Sequence, residues 1–324
     1  MADERLTETQ HLEEWIKAQP QVIDDSLMVI TTQFGTWASE AGAAHVRPDV
    51  LALASSGELV VIELKRGRDK NVHLQAITYG ALASQFTRDD LAQAYVEWRR
   101  KEHNELLTTD EALDRFSDHV QAEWETETFE FPRLVLVAED FPDVVMSTVK
   151  WLEKVAPELT VECHEYQVFR NGDQVLVSFQ KLFPVDDLES RRLRPTLQAA
   201  AADVGEQIRS NRRRARSAVL IAEHRAIPEG ARIDLLASGF AQKAVVDQVE
   251  AWMREDPQRS EVTWTNDGAR PLRWALEPET AWSPTALRNE IFTRAGVAKP
   301  NFSAADAWHH EGRNLYTIAN ELEA

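Results

Sequence analysis

Arg47-Pro48-Asp49-Val50-Leu51-Ala52-Leu53-Ala54, then Ser55-Ser56-Gly57, then Glu58-Leu59-Val60-Val61-Ile62-Glu63-Leu64-Lys65 reads as two apolar runs bracketing a short turn. That is the signature of a β-hairpin. A three-residue loop with glycine last fits a type I turn closed by a left-handed residue, so Ala54 is expected to face Glu58. Counting back along both strands, Leu53 faces Leu59, Leu51 faces Val61 and Asp49 faces Glu63. Side chains alternate along a strand, so Lys65 shares the face of Glu63 while Leu64 points away. Two carboxylates and an ammonium are therefore expected to converge at the end of the hairpin remote from its turn.

Both faces of this hairpin are apolar: Leu51, Leu53, Leu59 and Val61 on one, Val60, Ile62 and Leu64 on the other. Such a hairpin belongs inside a sheet covered on both sides, where charges need a reason. The bland alternative is a solvated sheet end carrying an ordinary salt bridge. Opposed carboxylates repel unless something cationic lies between them, and a divalent metal is the natural candidate. Carboxylate oxygens suit Mg2+ (or Mn2+), which keeps several waters and takes further contacts from phosphate. Such an ion polarises a phosphodiester oxygen and generates a hydroxide-like nucleophile, while Lys65 positions water or holds a phosphate oxygen as a point charge.

More of the chain agrees with this chemistry. Gln75 and Tyr79 stand four apart, which puts an amide and a phenol on one helix face. Upstream lies Leu12-Glu13-Glu14-Trp15-Ile16, followed by Ala18-Gln19-Pro20. The arrangement Pro48-Asp49, a gap, then Glu63-x-Lys65 resembles the PD-(D/E)xK nuclease superfamily. The Gln75-x-x-x-Tyr79 helix resembles its RecB-like branch, and the opening helix resembles its NucS-like families. Pro132–Ala138 and Val149–Glu153 resemble later elements of the same fold, so the resemblance spans roughly residues 5 to 185. It implies that a helical glutamate completes the metal site. Leu12, Trp15 and Ile16 define the buried stripe of that helix; Glu13 borders it and Glu14 lies on the far side, which favours Glu13. The resemblance thus implies catalytic roles for Asp49, Glu63, Lys65, Glu13, Gln75 and Tyr79, with Asp49, Glu63 and Glu13 on the metal. Taken without it, Glu13 is also readable as a surface helix former, and Gln75 and Tyr79 as a polar helix edge.

A loop Arg66-Gly67-Arg68-Asp69-Lys70 is expected directly after Lys65. Its Arg66, Arg68 and Lys70 are suited to gripping nucleic-acid phosphate, the alternative being a solvated loop of charges. The formal net charge of −18 argues against an indiscriminate nucleic-acid binder. Screening confines distant carboxylates to about 8–10 Å, so a locally basic groove is compatible with it. Between Arg191 and Arg216, eight arginines stand against Asp203 and Glu206, a local charge of +6. The alanine-rich Leu197–Ile208 within this stretch favours helix. This basic helical connector either tracks a nucleic-acid backbone or pairs with acidic surfaces on either side.

The 324 residues suggest about two domains. A single cysteine, Cys163, excludes an internal disulfide, and no run approaches the ~20 apolar residues of a membrane helix. No signal peptide is evident, so a cytoplasmic protein that does not engage membranes is expected. Helices are expected near 4–18, 71–86, across 88–125 and at 142–156, with strands near 26–34, 46–65, 133–138, 159–166 and 175–181. The fold class is α/β, mixed α+β: a restriction-endonuclease-like core sheet flanked by helices, plus a smaller α/β C-terminal domain. Trp98, Arg99, Arg100, Lys101 and His103 sit on an insertion, with Trp98 expected to pack into its own domain.

The expected organisation is a nuclease-like domain over 1–187, the connector over 188–218 and a second domain over 219–324. In the last, Glu261-Val-Thr-Trp264, Leu272-Arg-Trp274, Ser283-Pro284 and Trp308 resemble the framework of the RAMA domain, proposed to recognise DNA. Ser283-Pro284 reads as a helix N-cap followed by proline at the first helical position. Trp264, Trp274, Trp282 and Trp308 read as aromatic core, and His309-His310-Glu311 as surface without a metal framework. No G-x-S-x-G elbow, Walker-type phosphate loop or H-E-x-x-H helix is present. The function expected is a metal-dependent DNA endonuclease in restriction, defence or repair, with DNA as partner and a homodimer suited to paired cuts. The alternative is a catalytically silent nucleic-acid-binding or regulatory module retaining the nuclease fold.

Overall fold

The computed structural model describes residues 7, 11–35, 37–39, 42–44, 46–122, 124, 129–172, 174–184, 203–268 and 270–323. The chain divides into two units, the first formed by Met1–Ala54, Glu58–Asp114 and Thr126–Gly205, the second by Ser55–Gly57, Arg115–Glu125 and Glu206–Ala324.

In the first unit, helix α1 (Glu13–Ala18) leads into strand β1 (Leu27–Thr32), a small hairpin β2 (Trp37–Ser39) and β3 (Gly42–Ala44), and then the long hairpin β4 (Val50–Ala54) and β5 (Leu59–Arg68). Helices α2 (Val72–Ala83), α3 (Arg88–His103) and α4 (Thr109–His119) follow, then β6 (Arg133–Asp140), α5 (Asp143–Val155), β7 (Val161–Asn171) and β8 (Gln174–Phe183). The six-stranded sheet runs β1-β4-β5-β6-β7-β8. Its first two pairings are antiparallel, β5-β6 and β6-β7 are parallel, and β7-β8 is antiparallel again. This is the mixed, helix-flanked core sheet expected of the chain.

The β4–β5 register is the one read from the turn: Leu53 faces Leu59 and Leu51 faces Val61. Gly57 closes the loop at φ +86°, a conformation glycine adopts without a Cβ clash, and Ala54 N–H donates to Glu58 O at 2.9 Å. Leu51, Leu53, Leu59, Val60, Val61, Ile62 and Leu64 are all at most 1% exposed, which confirms that both faces of the hairpin are covered. Full burial of such side chains is what fixes the register, because a one-residue slip would exchange the two faces. Helix α2 lies close on the sheet: a Cβ added at Gly80 would come within 2.7 Å of Leu134 Cδ2 on β6.

Strand β5 outruns the expected boundary at Lys65. It continues to Arg68 because β6 supplies a parallel partner as far as Asp140, with a register shift between Lys65 and Arg68. Arg66 to Arg68 are therefore strand rather than loop, and only Asp69, Lys70 and Asn71 lead on to α2. The opening helix is described from residue 11 onward, so the start expected near residue 4 lies outside the described residues, as do Arg191, Arg192 and Arg194 of the connector.

The second unit holds most of α6 (Asp203–Glu223), then β9 (Arg232–Leu235), α7 (Lys243–Arg254), α8 (Pro257–Ser260), β10 (Val262–Trp264), β11 (Leu272–Trp274), β12 (Glu277–Trp282), α9 (Pro284–Arg294), α10 (Ala304–Ala307), β13 (Trp308–His310), β14 (Arg313–Asn314) and α11 (Leu315–Glu323). Its sheet order is β12-β11-β10-β9-β13-β14. Trp264, Trp274 and Trp308 are fully buried, as the aromatic-core reading requires, while Trp282 is half-buried and packs against that core. Ser283 Oγ accepts from Ala286 N–H with Pro284 at the first helical position. One expectation fails here: His310 is 9% exposed rather than a surface residue, because β13 pairs with β9 and its Nδ1 lies 3.1 Å from Arg232 O.

Candidate active site

The charged end of the β4–β5 hairpin assembles as its geometry dictates. Glu63 is 2% exposed, and Lys65 Nζ donates to Glu63 Oε1 at 2.7 Å. Asp49 Oδ2 accepts the Leu64 N–H at 2.8 Å, tying the carboxylate preceding β4 to the strand that carries Glu63. Tyr166, fully buried on β7, donates its hydroxyl to Lys65 O at 3.3 Å and steadies the strand beneath the lysine.

Glu13 joins this group. It is 6% exposed while Glu14 is exposed and paired with Lys17, so the stripe argument chose the inward-facing acid. Burial raises the Glu13 carboxyl above its ordinary value and the Asp49 charge adds to the effect, while the Gln33 hydrogen bond opposes them. Tyr79 lies on α2 with its phenol hydrogen-bonded to the Arg47 backbone. Burial and then the charges of Glu63 and Asp49 raise its phenol, which places it within the field of both acids. Gln75, one turn earlier on α2, is half-buried, and its Oε1 is buried without a hydrogen-bond partner among the described residues. No described contact brings it to Asp49, Glu63 or Lys65.

Gln33 was not anticipated from the sequence. Its Nε2 donates to Glu13 Oε2 at 2.8 Å and to Asp49 Oδ1 at 3.0 Å. Its backbone is left-handed, φ +51°, and its N–H donates to Asp49 O at 3.0 Å. The signal that would have found it is the antiparallel pairing of β1 with β4, where Thr32 faces Val50, so that the next residue along β1 falls beside Asp49.

Among the described residues, no three His, Cys, Asp or Glu side chains stand in an arrangement that holds a metal ion as they are. Gln33 donates to Glu13 and Asp49, and Lys65 donates to Glu63, so each of the three acids accepts an N–H donor. Burial, with Glu162 beside it, pushes the Cys163 thiol up to about 12, which leaves it inert as a nucleophile.

Beside the acids, a pocket of about 530 Å³ is lined by Lys65, Arg66, Gly67, Arg68, Asp69, Lys70, Asn71 and Pro142. Arg66, Arg68 and Lys70 are exposed, and Arg68 Nε lies 3.1 Å from Asp140 Oδ2. An open, mostly cationic wall thus adjoins a buried acidic cluster. Trp98, by contrast, is 7% exposed and packs in its own unit as expected.

Residues 35–140 match the family described as archaeal Holliday junction resolvase (Hjc). The match takes in Asp49, Glu63, Lys65, Gln75, Tyr79 and β6 to its end, so this third of the chain is similar to that resolvase family. Two solved structures are also similar. One is a repair endonuclease from Pyrococcus abyssi, 18% identical, covering 48% of this chain and 46% of its own, with a TM-score of 0.23. The other is the protein of an EndoMS–dsDNA2 complex, 23% identical, covering 49% of this chain and 46% of its own, with a TM-score of 0.24. The similarity thus spans about half the length of each of those proteins. No curated protein matches the chain. No described helix is long and apolar enough to cross a membrane.

Proposed function

We propose that the chain is a divalent-metal-dependent DNA endonuclease. The observation that carries this reading is the convergence of Glu13, Asp49, Glu63 and Lys65 at one end of a fully buried hairpin, next to a basic pocket. The donor set suits a hard cation: all three acids offer carboxylate oxygens, and the neutral amide N–H now between Glu13 and Asp49 could give way to a cation. Asp49, Glu63 and Glu13 would hold Mg2+ or Mn2+, which when bound supplies a polarised phosphate oxygen and a nucleophile available at neutral pH.

The remaining roles fall to the chain's own side chains. Lys65, 15% exposed and joined to Glu63, orients the attacking water or a phosphate oxygen with its ammonium. The Tyr79 phenol, kept protonated by burial and the neighbouring acids, donates toward phosphate or water. Gln75, whose buried oxygen has no hydrogen-bond partner among the described residues, supports the same helix face. Arg66, Arg68 and Lys70 follow the backbone of the substrate along the pocket wall.

The Holliday junction resolvase match makes branched DNA the first substrate class to test. The family match stops at residue 140, and a DNA-recognition role for the second unit, with basic α6 leading into it, forms part of the proposal. A homodimer would supply the second centre that a paired cut on duplex DNA needs. The test is cleavage of plain, mismatched, methylated and four-way-junction DNA by the intact chain, with Mg2+, with Mn2+ and with a chelator. Metal-dependent nicking of one class supports the reading. Binding with no cleavage under any condition replaces it with a silent module that keeps the nuclease fold.

A further inference from the structure

We infer that Gln33 is a positioning residue that acts as an internal stand-in for the cation, holding Glu13 and Asp49 together until a metal displaces it. This rests on the nuclease reading above.

The geometry is specific. One nitrogen, Nε2, donates to two carboxylates carried by different elements, Glu13 on α1 at 2.8 Å and Asp49 at the start of the hairpin at 3.0 Å. The amide can face this pair only through nitrogen, since turning it over would set its oxygen against two acceptors. Metal–carboxylate distances are roughly 2.0–2.1 Å for Mg2+. A cation held by Glu13 and Asp49 would need the space that the Gln33 nitrogen fills, so the two states would exclude one another.

The backbone is shaped to deliver this amide. Strand β1 carries a register shift between Val29 and Thr31, and bulges of this kind re-aim the residues that follow. Gln33 then adopts φ +51°, a left-handed conformation that a side chain with a Cβ disfavours. The hydrogen bond from its N–H to Asp49 O holds it there. A glycine would relieve that strain but would have no amide to offer. Without Gln33, the buried Glu13 and the half-buried Asp49 would lose the one donor seen to bridge them among the described residues. The amide thus keeps the ligands spaced and oriented, and leaves when an ion provides the stronger compensation.

Mn2+ binding to the intact chain and to Gln33→Met, read by calorimetry and by the electron paramagnetic resonance of free Mn2+, tests this directly, together with melting temperatures with and without metal. Gln33→Met retains length and removes the donor. The expected result is a lower melting temperature without metal, Mn2+ binding tightened about tenfold because a charge-assisted hydrogen bond no longer has to break, and a larger thermal shift on adding metal. Gln33→Leu, which also lacks the donor and adds no ligand, is expected to bind Mn2+ more tightly as well, and decides the matter if Gln33→Met does not fold. A side chain that only spaced the acids would leave Mn2+ affinity unchanged or weaker in both variants, and that outcome overturns the inference while sparing the nuclease reading. An intact chain that binds no Mn2+ overturns both.

Discussion

Arg133 opens β6 at the opposite end of that strand from the pocket, and its replacement by methionine gives a sharp test of what holds the sheet together. The guanidinium is almost fully buried; its Nη1 donates to Asp24 Oδ2 at 2.7 Å and lies 3.6 Å from Glu162 Oε1. Glu162 in turn lies 3.1 Å from His164 Nε2 and 3.4 Å from Lys181 Nζ. One network therefore ties the segment before β1 to β6, β7 and β8. Removing one partner of a buried pair costs roughly 3–5 kcal/mol, because a charge is left uncompensated. Glu162 would keep His164 and Lys181, so Arg133→Met should fall at the low end, about 3 kcal/mol. For a unit of this size that lowers the melting temperature by roughly 6–12 °C. The assay is thermal unfolding of the full chain at pH 7, with hydrogen exchange followed on peptides from β6 and β7 to separate the first unit from the second. Adding Glu162→Leu should recover part of the loss, since an apolar replacement of a whole pair is close to neutral. A loss under about 1 kcal/mol would show that the network is not the tie described here.

Other outcomes follow from the same geometry. Burial alone would raise the Glu162 carboxyl, but the His164 hydrogen bond and the Arg133 and Lys181 charges hold it far below its ordinary 4.5. A depressed carboxyl contributes stability that is present above pH 4.5 and lost as the pH falls through the folded-state value, so urea midpoints should drop steeply in that window and flatten in Glu162→Gln. Gly57→Ala should destabilise by about 1–3 kcal/mol, since φ is +86° and the added Cβ would meet Trp124 Cδ1 at 2.9 Å; an unchanged melt would mean that the turn relaxes freely. Replacing Arg66 and Arg68 by alanine should weaken DNA binding equally across sequences and reduce the slope of log K against log salt by about 0.9 for each phosphate that is no longer neutralised. An unchanged slope would remove the pocket wall from the substrate path.

The hairpin was legible in the sequence because its information is local: the turn glycine fixes the register, the register fixes the pairing, and strand alternation puts Glu63 and Lys65 together. Glu13 was legible through the apolar stripe of its helix, with the family resemblance supplying the reason to look. What escaped was non-local. Gln33 enters the site through the β1–β4 register and a left-handed residue after a bulge, neither of which has a compositional signal at that position. Strand β5 runs to Arg68 only because β6 is beside it, a partner about 70 residues away that no local propensity announces. His310 is buried for a similar reason, through pairing with β9. The aromatic core of the second unit was readable from Trp264, Trp274 and Trp308 alone, since large apolar side chains leave few alternatives.

If Lys65, with Glu63, Asp49 and Glu13, forms a working nuclease centre, then removing its ammonium should slow the chemical step and leave substrate binding in place. Single-turnover cleavage of pre-bound branched DNA by the intact chain and by Lys65→Ala, at saturating Mg2+ and with binding measured in parallel, tests this most directly. The expected rate in Lys65→Ala is about 10²–10³-fold lower with DNA affinity nearly unchanged, the scale of losing a positioned charge in a catalytic site. Equal rates in the two proteins would contradict that role and place any cleavage outside this hairpin.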